Sequence, residues 1–466
     1  MLRDGHRERT SGLRRRLTRR PGVGVSASLL VALLLSACAT ERERQARAEF
    51  REALSRRASQ PDERSPESAP VSSAIAALEV EVLRRSPALA AAFERWRAAL
   101  ERAPQVRSLP NPQLKLTHFV EEVETRVGPQ RNRIGLMQTV PWPSKLTRAA
   151  DAASLEAERY RRELEDLRAE LVLKTRLAWL DLFDLRQTIR VTRESLQVLE
   201  SYDAIARIRF RTAGLRHPDV IRVQIEIGSL EDRLQSLEDR RRPLTAVLNA
   251  LLDRRSDAPI PWPGALPEWL ADDAELSLED LSAEMTRRHP KLAALREQIE
   301  RAGALSERAD AEFFPDLLFG VDVIDTGPAQ NRNLRGSGKD PVLLTFGLSL
   351  PIWGGRIQAG RREARARGRS ARSRLADQTR SLEAALQKAL FDRRDAERKV
   401  ALYGRTLIPK AEEAQRALSA AYQTGEGDFL SLLDIERTLL NYRLEVETAK
   451  VASARAAARI QRLRGR

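Results

Sequence analysis

Side chains able to carry out chemistry are few in this sequence, which has four His and one Cys among 466 residues. His118, His217 and His289 lie far apart along the chain, and none of them has a Cys nearby. HExxH, GxSxG, P-loop and GxGxxG patterns, which mark hydrolytic, nucleotide-binding and redox sites, are missing from any strand–helix context. The sequence therefore predicts no enzyme, no cofactor and no dedicated metal site, with His217 a solvated residue beside a turn.

The single cysteine, Cys38, is the exception, because the residues before it point to a covalent modification. Two Arg clusters, at 14–16 and 19–20, precede an apolar run from Val23 to Leu35 that ends in Leu-Ser-Ala-Cys. This pattern predicts a signal peptide over residues 1–37, too short to cross a bilayer, which needs about 20 apolar residues. Leu-Ser-Ala-Cys resembles the bacterial lipobox, which implies that Cys38 is lipidated, and Ala39 beside it favours the outer membrane. The alternative is an unmodified Cys with no such role.

Charged residues dominate the segment that follows Cys38 and are common in the whole chain. Residues 41–70 are rich in Arg, Glu, Ser and Pro, so residues 38–73 are predicted to form a lipidated N-terminus and a flexible tether. The formal net charge of +15 falls to about +9 once the six excess positive charges of residues 1–37 are left out. Arg is interspersed with Glu rather than grouped with aromatic residues, so nucleic-acid binding is not predicted.

The rest of the sequence describes the same unit twice. Pro87 and Pro112 recur as Pro290 and Pro315, both 203 positions later. A period of about 200 residues is too long for a solenoid repeat, whose period is roughly 20–50. We therefore predict a first repeat, a Pro- and Trp-rich crossover and a second repeat, at residues 74–253, 254–276 and 277–466.

Each repeat holds two short segments in which apolar residues alternate with polar or small ones. In the first repeat the segments are 113–120 and 134–140, separated by a polar turn predicted from Glu121 to Arg131. In the second they are 317–324 and 344–350, on either side of a Gly- and Asn-rich loop. A period of two over about nine to eleven residues is typical of transmembrane barrel strands. We expect four strands, with Phe346 and Leu348 facing lipid.

Long helices account for most of the remainder. No Pro or Gly interrupts residues 145–212, which would form a helix of about 100 Å. Its Leu and Ile residues follow an interrupted heptad spacing between Leu164 and Leu199, which predicts pairing along its length. A return helix is predicted for residues 219–252, and the second repeat predicts the same pair, with a kink at Pro409 and a return helix from 429 to 464.

The predicted strands and long helices require further copies of the same chain. Four strands with unpaired edges cannot lie in lipid, because each unpaired backbone group there costs several kcal/mol. The fold class is therefore predicted as mainly α with a small transmembrane β part, in which a helix–strand–strand–helix–helix unit occurs twice. We expect a homo-oligomer whose strands close one outer-membrane barrel and whose helices continue it into the periplasm.

The order of elements and three sequence stretches resemble the TolC-like outer-membrane efflux channels. The stretches are Leu407–Glu412, Tyr422–Leu430 and Leu433–Arg437, and the likeness covers residues 74–464. It implies a homotrimer with a twelve-stranded barrel, a long α-helical periplasmic barrel and a passive channel. It also implies a periplasmic adaptor and an inner-membrane pump of the RND class as partners. Within the family, the sequence most resembles the heavy-metal and drug efflux lipoproteins, but none of its residues indicates which substrate is transported.

The resemblance also implies roles for residues beside the two helical turns. It suggests an adaptor contact at the turn residues, a hydrogen bond between Tyr422 and Asp219 that holds the periplasmic end shut, and a carboxylate ring at Asp434. Two departures weaken the lock and the ring, since Gly427 stands where the family has Arg and Ser431 where it has an acid. For Asp434, ordinary helix surface is the alternative. The adaptor-contact residues are Gly214, Leu215, Gly425 and Glu426.

One other class of protein fits a lipidated, largely helical chain. A lipid-anchored periplasmic coiled-coil adaptor or scaffold would also combine a Cys38 anchor with long helices. An adaptor, however, has one helical hairpin flanked by Gly-rich β domains, whereas this sequence has two hairpins and no such domains. The channel is the prediction that the sequence favours.

Overall fold

The computed structural model describes residues 39–58, 72–211, 217–267, 277–331, 334–424 and 428–465. One four-stranded sheet stands at the end of a layer of long helices. The strands are β1 (Gln113–Thr125), β2 (Gly128–Val140), β3 (Asp316–Thr326) and β4 (Val342–Ser349). The helices are α1 (Glu41–Ala58), α2 (Ile75–Arg85), α3 (Pro87–Leu100), α4 (Arg102–Arg107), α5 (Pro143–Arg211), α6 (His217–Asp239), α7 (Arg241–Leu251), α8 (Leu278–Arg288), α9 (Pro290–Ala311), α10 (Gly354–Leu402), α11 (Ile408–Thr424) and α12 (Phe429–Leu463).

The two repeats begin in the same way, which confirms the internal duplication. Helices α3 and α9 each start with a proline, and the residue before it caps the helix. Ser86 Oγ accepts a hydrogen bond from the Leu89 amide at 3.3 Å, and His289 Nδ1 accepts one from the Lys291 amide at 3.2 Å. Each cap satisfies a backbone N–H that the first helical turn leaves free. Helix α3 with α4 leads into the β1–β2 hairpin, and α9 leads into β3 and β4.

The strands pair antiparallel in the order β1-β2-β3-β4, so the two hairpins of the two repeats lie side by side. The predicted strands are confirmed, but the polar turn predicted from Glu121 to Arg131 is wrong. Strand β1 continues to Thr125 and β2 begins at Gly128, which leaves a turn of two residues. The alternation stops near Val120 because the register shifts between His118 and Val123 and the outer part of the hairpin is polar on both faces. A strand face that meets water has no need of apolar residues.

The first long helix is confirmed and runs unbroken for 69 residues as α5. Its predicted seam is buried, from Leu171 through Leu182, Leu185 and Ile189 to Leu199. The predicted return helix from 219 to 252 is instead two helices, α6 and α7, divided at Arg240. Pro243 explains the break, because it has no N–H to donate to the preceding turn.

The kink predicted at Pro409 takes the form of a π-helical turn over Tyr403–Leu407, between α10 and α11. The Ile408 amide bonds back to the Tyr403 carbonyl, five residues earlier. A widened turn relieves the clash that the Pro409 ring would make with the carbonyl four residues before it. Within the described ranges, none of the helices has both the length and the hydropathy needed to cross a lipid bilayer.

The flexible tether predicted for residues 41–70 is wrong for residues 41–58, which form helix α1; residues 59–71 lie outside the described ranges. The helix packs through Ala46 and Phe50 against an aromatic cluster on α3. The Phe50 ring lies 5.2 Å from Phe93 and 5.1 Å from Trp96, centre to centre. Few apolar residues were enough because they fall on one helical face.

The crossover between the repeats lies against the middle of α5. Ile260 is buried in the main apolar cluster, which also contains Trp179 and Phe183 of α5. Arg241 donates to the Ile260 carbonyl at 2.9 Å and lies over the Trp262 ring at 4.3 Å. Its irregular backbone is thus held by side-chain donors from the helices. Residues 268–276 lie outside the described ranges.

Candidate functional site: the sheet and the helical tip

One face of the sheet is apolar across all four strands. The register aligns Leu114 with Leu136, Leu136 with Val321 and Val321 with Leu344. These side chains are exposed in the single chain, and Phe346 on β4 has 74% of its surface accessible. A contiguous exposed apolar surface of this kind indicates a membrane or a protein partner. Its other exposed members are Leu116, Ile134, Phe319, Val323, Val342 and Leu348.

The opposite face of the sheet is mostly polar or small, with Met137, Leu318, Ile324 and Leu343 as its apolar members. Arg133 Nε donates to Asp322 Oδ1 at 2.9 Å, and the Thr345 hydroxyl approaches Asp322 Oδ2 at 3.5 Å. Gly135 makes room for this pair, because a Cβ at that position would lie 2.1 Å from Asp322 Oδ1. An apolar face and a polar face alternate along every strand, which is the arrangement of a barrel wall with lipid outside and water inside.

The turns at the far end of the sheet hold the two hairpins together. The Gly327 amide donates to the Pro129 carbonyl at 2.7 Å, and the Gly338 amide donates to the Val127 carbonyl at 2.8 Å. Gly128 has φ of +131°, and a Cβ there would lie 1.8 Å from the Gly327 carbonyl oxygen. Only glycine fits this close approach. The tight turn between β1 and β2 therefore depends on the neighbouring repeat.

The outer edges of β1 and β4 have no strand partner within the described chain, since the sheet ends at these two strands. Their backbone N–H and C=O groups point away from the sheet and remain available for pairing. Because four strands alternate in direction, β1 and β4 run in opposite senses. Either edge can therefore pair antiparallel with the other edge of a second copy.

At the other end of the molecule, Tyr422 lies between the two helical hairpins. It is only 3% exposed and belongs to an apolar cluster that includes Val220 of α6 and Phe429 of α12. The Arg209 guanidinium, from the end of α5, lies 4.4 Å from the centre of its ring. The Tyr422 hydroxyl is buried and makes no hydrogen bond to any other residue that the structure describes. Burial raises the pKa of this phenol, and the charge of Arg209 opposes that shift.

Asp219, the predicted partner of Tyr422, is also buried, in the first turn of α6. A carboxylate there is stabilised by the free amides and the dipole of the helix. Its negative charge acts on the Tyr422 phenol in the direction that raises the pKa of that group. The two residues are therefore brought to the same region, but no hydrogen bond joins them within the one chain. The gate assignment stays a prediction.

A buried polar group near the tip was missed by the sequence analysis. The Tyr202 hydroxyl donates to Glu436 Oε1 at 2.9 Å, and Gln415 Nε2 also bonds to that oxygen. Glu436 is 3% exposed, and burial together with this carboxylate raises the pKa of Tyr202. The group links α5, α11 and α12. The sequence could have indicated that Glu436 is buried, because it falls between Leu433 and Leu439 at the spacing of an apolar seam.

Asp434, predicted as a carboxylate ring, is largely exposed near the start of α12. Arg437 lies one turn further on, with Nη1 at 3.5 Å from Asp434 Oδ1, and Arg437 also pairs with Glu226 of α6. The positive charge of Arg437 partly neutralises both acids, so the negative potential at this level is weaker than a bare carboxylate would give. The other predicted residues, Cys38 and the adaptor contacts Gly214, Leu215, Gly425 and Glu426, lie outside the described residues.

The three His residues named above occupy three separate environments. His118 contacts Asn132 on β2 at 2.8 Å, and His217 stacks on Phe210 with ring centres 5.3 Å apart. His289 is buried, and burial, reinforced by the positive charge of Arg462, lowers its pKa to about 4. Across the described ranges, no group of three or more His, Cys, Asp or Glu side chains is arranged to hold a metal ion.

Comparison with known proteins shows which families and structures this chain resembles. Residues 281–466 match the model of the outer membrane efflux protein family. The cobalt-zinc-cadmium resistance protein CzcC of Cupriavidus metallidurans is 22% identical over 376 residues, which cover 78% of this chain and 82% of CzcC. The structure of VceC from Vibrio cholerae aligns over 84% of this chain and 95% of its own, with a TM-score of 0.67 and 19% identity.

CusC, whose crystal structures concern conformational changes accompanying folding and transmembrane channel formation, aligns over 87% of this chain and 95% of its own. The TM-score is 0.71 and the identity 16%. At these sequence identities the structural likeness establishes the fold alone. The family match covers residues 281–466, which lie in the second repeat. Residues 281–466 therefore carry the outer membrane efflux protein domain, and the described chain has the fold of the TolC-like outer-membrane efflux channels.

Proposed function

We propose that this protein is the outer-membrane exit duct of a tripartite efflux system, which passively conducts small toxic compounds or metal ions out of the periplasm. The observation that carries the proposal is the sheet with one apolar and one polar face, joined directly to long paired helices. Such a sheet needs lipid on one side and water on the other. The helices would then carry the same aqueous path away from the membrane.

A closed channel requires more than one chain, and we propose a homotrimer. Three copies of the four-stranded sheet would pair β4 of one copy with β1 of the next and form a twelve-stranded barrel. Closure removes the two unpaired edges, each of which would cost several kcal/mol per backbone group in lipid. The anchor at Cys38 would hold the start of α1 at the membrane surface, outside the barrel.

For cargo and partners we propose an RND-class pump in the inner membrane and a periplasmic adaptor that meets the helical tip at Gly214, Leu215, Gly425 and Glu426. CzcC, by its name a cobalt, zinc and cadmium resistance protein, supports metal ions as the cargo. A passive duct selects mainly by width and charge, so small organic toxicants would fit the same path.

We also propose that the tip is a gate. In the assembled channel the buried Tyr422 hydroxyl would bond to the Asp219 carboxylate and draw neighbouring hairpins together. Tyr422 supports this role because its hydroxyl is buried without a partner among the described residues, a state that costs about 1–3 kcal/mol. Asp434 would face the aqueous path nearby, with its charge reduced by Arg437.

Single-channel recording tests the function directly. The full chain is purified from outer membranes, checked for a heat-modifiable trimer in gels and reconstituted into planar bilayers. We expect discrete conductance steps that grow when the tip is loosened by the Tyr422→Phe and Asp219→Ala changes. A monomer that stays in the soluble fraction and gives no current would contradict the proposal and favour a periplasmic scaffold.

A further inference from the structure

The part of α10 nearest the sheet carries a row of arginines that form no ion pair within the described chain. Arg362, Arg365, Arg369 and Arg372 follow one another at steps of three, four and three residues, which places them within one narrow face of the helix. All four are exposed. None of them forms an ion pair or hydrogen bond with another residue in the described part of the chain. We call these four residues the arginine stripe.

The stripe differs from two other arginines of the same part of the helix, which are paired. Arg361 pairs with Asp310 of α9 at 2.5 Å and Arg367 with Glu363 at 2.5 Å. Like charges at steps of three and four residues repel and destabilise a helix unless anionic groups face them. The arginine stripe is therefore the part of this helix that an acidic partner would stabilise.

The order of the helices shows which surface an adjacent copy would bring to the stripe. Helix α3 packs against α5, α5 against α9, and α9 against α10, so α3 and α10 are the outer two of the four helices joined to the strands. Helix α10 also packs on α12, through Leu386 and Ala389 against Ile460, farther from the sheet than the arginine stripe, and α1 lies across α3 and α5. Helix α3, through α4, leads into β1, and α10 follows β4, the two strands whose outer edges are free. Pairing of β4 with β1 of the next copy therefore sets α10 beside α3 of that copy.

The face that α3 would present there is acidic and small. Glu94, Ala98 and Glu101 lie at steps of four and three residues and are all exposed. They point away from Trp96 and Leu100, the buried residues on the side that packs on the rest of the chain. Each glutamate has only a loose pair of its own, with Arg97 at 3.5 Å and with Arg47 at 3.3 Å. Their carboxylates can still accept from a second arginine.

The acids and the arginines also lie at similar numbers of residues from the sheet and share the same spacing along their helices. Glu101 precedes the start of β1 by twelve residues, and Arg362 follows the end of β4 by thirteen. Glu94 precedes β1 by nineteen residues, and Arg369 follows β4 by twenty. The two helices run in opposite directions, and each pair of charges is separated by seven residues, or two helical turns. The same two pairs of charges would therefore meet in a register of β4 with β1 that brings Glu101 level with Arg362.

We propose that the arginine stripe is a recognition surface for a second copy of this chain, in which Arg362 faces Glu101 and Arg369 faces Glu94 of the neighbour. Arg365 and Arg372 flank these rungs on the same face. Individual exposed ion pairs contribute little, but a repeated set around a closed ring fixes which helix lies beside which and at what height. This inference rests on the proposed barrel, because strand pairing brings the two helices together.

Cysteine cross-linking tests the neighbourhood. Ala98→Cys combined with Ala366→Cys places two thiols on the facing surfaces at matching height, in a chain whose only native Cys is the proposed acylation site. We expect oxidation in outer membranes to give disulfide-linked dimers and trimers. The matched control combines Ala98→Cys with Glu300→Cys, an exposed residue of α9 at similar height, and should give none. Absence of cross-links in the first variant, or equal cross-linking in both, overturns the proposal.

Charge exchange tests the role of the ion pairs. Arg362→Glu with Arg369→Glu should lower the ratio of trimer to monomer in mild detergent by about tenfold, because repulsion replaces attraction in each interface. Adding Glu94→Arg and Glu101→Arg to that variant should restore the ratio. An unchanged ratio in the first variant, or no rescue by the second pair, shows that the stripe does not recognise another copy. A wild-type protein that is neither trimeric nor conducting would instead contradict the proposed function.

Discussion

At the tip of the helices, single side chains make the contacts between the two helical hairpins. Tyr422 is pressed between Phe429, whose ring centre is 5.3 Å away, and the guanidinium of Arg209. A cation over an aromatic ring contributes about 0.5–2 kcal/mol when it is partly shielded from water. Gly427 stands where the resemblance leads one to expect arginine, and Arg209 supplies a positive charge to the same tyrosine from another helix. The sequence could not indicate this contact, because it joins residues 213 positions apart.

The first prediction concerns the closed state of the tip. Tyr422→Phe with Asp219→Ala should raise the resting conductance and let large antibiotics enter, because a charge-assisted bond of about 1.5–3 kcal/mol would be lost from each copy. Assembly should be unaffected by the loss of one hydroxyl and one carboxylate at the tip. Single-channel recordings of purified trimers provide the measurement. The control is Thr424→Ala, an exposed hydroxyl that bonds only to its own helix. Equal conductance of the double variant and wild type would place the closed state elsewhere.

The second prediction separates selectivity from aperture. Asp434→Ala should lower the preference for cations and weaken block by trivalent cations, with little change in resting conductance. The effect should be modest, since Arg437 already lies 3.5 Å from this carboxylate. Arg437→Gln should have the opposite effect and increase cation preference, because it removes the charge that offsets Asp434. Reversal potentials in a salt gradient measure both, and no shift in either variant would show that Asp434 is ordinary helix surface.

The third prediction follows from the buried His289, whose pKa is lowered to about 4 from an ordinary value of 6.5. Between these values the folded chain binds fewer protons than the unfolded chain, so stability is full above about pH 6.5 and declines as the pH falls towards 4. The loss should approach about 3 kcal/mol per chain. His289→Asn keeps an acceptor for the Lys291 amide and should remove this part of the pH dependence. Urea unfolding followed by circular dichroism at several pH values tests it, with the exposed His217→Asn as a control that should keep the wild-type slope.

Elements of the sheet show what alternation can and cannot predict. The four strands were found because apolar residues such as Leu116, Ile134 and Phe346 recur at every second position. The pairing of β2 with β3 was not found, because it depends on how the two repeats meet. The outer ends of β1 and β2 were taken for a turn because the apolar alternation stops there and polar residues occupy both faces. Helix α1 was taken for a tether because its apolar contact comes from few residues, Ala46, Phe50 and Ala53, in an otherwise charged segment.

The fourth prediction tests which face of the sheet meets lipid. Phe346→Asp or Leu348→Asp should prevent insertion of the trimer, because a charge in the middle of the apolar band costs somewhat less than the roughly 2–4 kcal/mol of a basic residue, and does so in every copy. The control is Thr117→Asp, on the polar face of β1 and opposite Arg133. Membrane fractionation and heat-modifiable migration give the readout. Normal insertion of the Phe346 variant, or failure of the Thr117 variant alone, would mean that the two faces are reversed.

On the scale of the whole molecule, the sequence predicted the duplication, the class of fold and the direction of each long helix. Ser86 and His289 begin equivalent helices, and the residues after them follow the same order of elements twice. What it could not predict was how single segments are held, such as the break at Arg240 or the π-helical turn before Pro409. These depend on one missing backbone donor each, set against packing from the neighbouring helices. The tip contacts depend on tertiary structure in the same way.

The fifth prediction asks what holds the assembled molecule in place. Cys38→Ser should abolish acyl labelling and processing at that residue, yet leave a substantial fraction of trimer in the outer membrane. The reason is that closure of the proposed trimer would be driven by the free edges of β1 and β4 and by the apolar face of the sheet, neither of which includes the anchor. Helix α1, docked through Phe50 on Phe93 and Trp96, should remain folded and resist proteolysis in the unlipidated protein. Labelling with a radioactive fatty acid measures acylation, gel separation without heating measures the fraction of trimer, and limited proteolysis measures whether α1 stays folded. Labelling that persists in the Cys38 variant would refute the lipoprotein assignment, and complete loss of trimer would mean that the anchor, rather than the strand edges, brings the copies together.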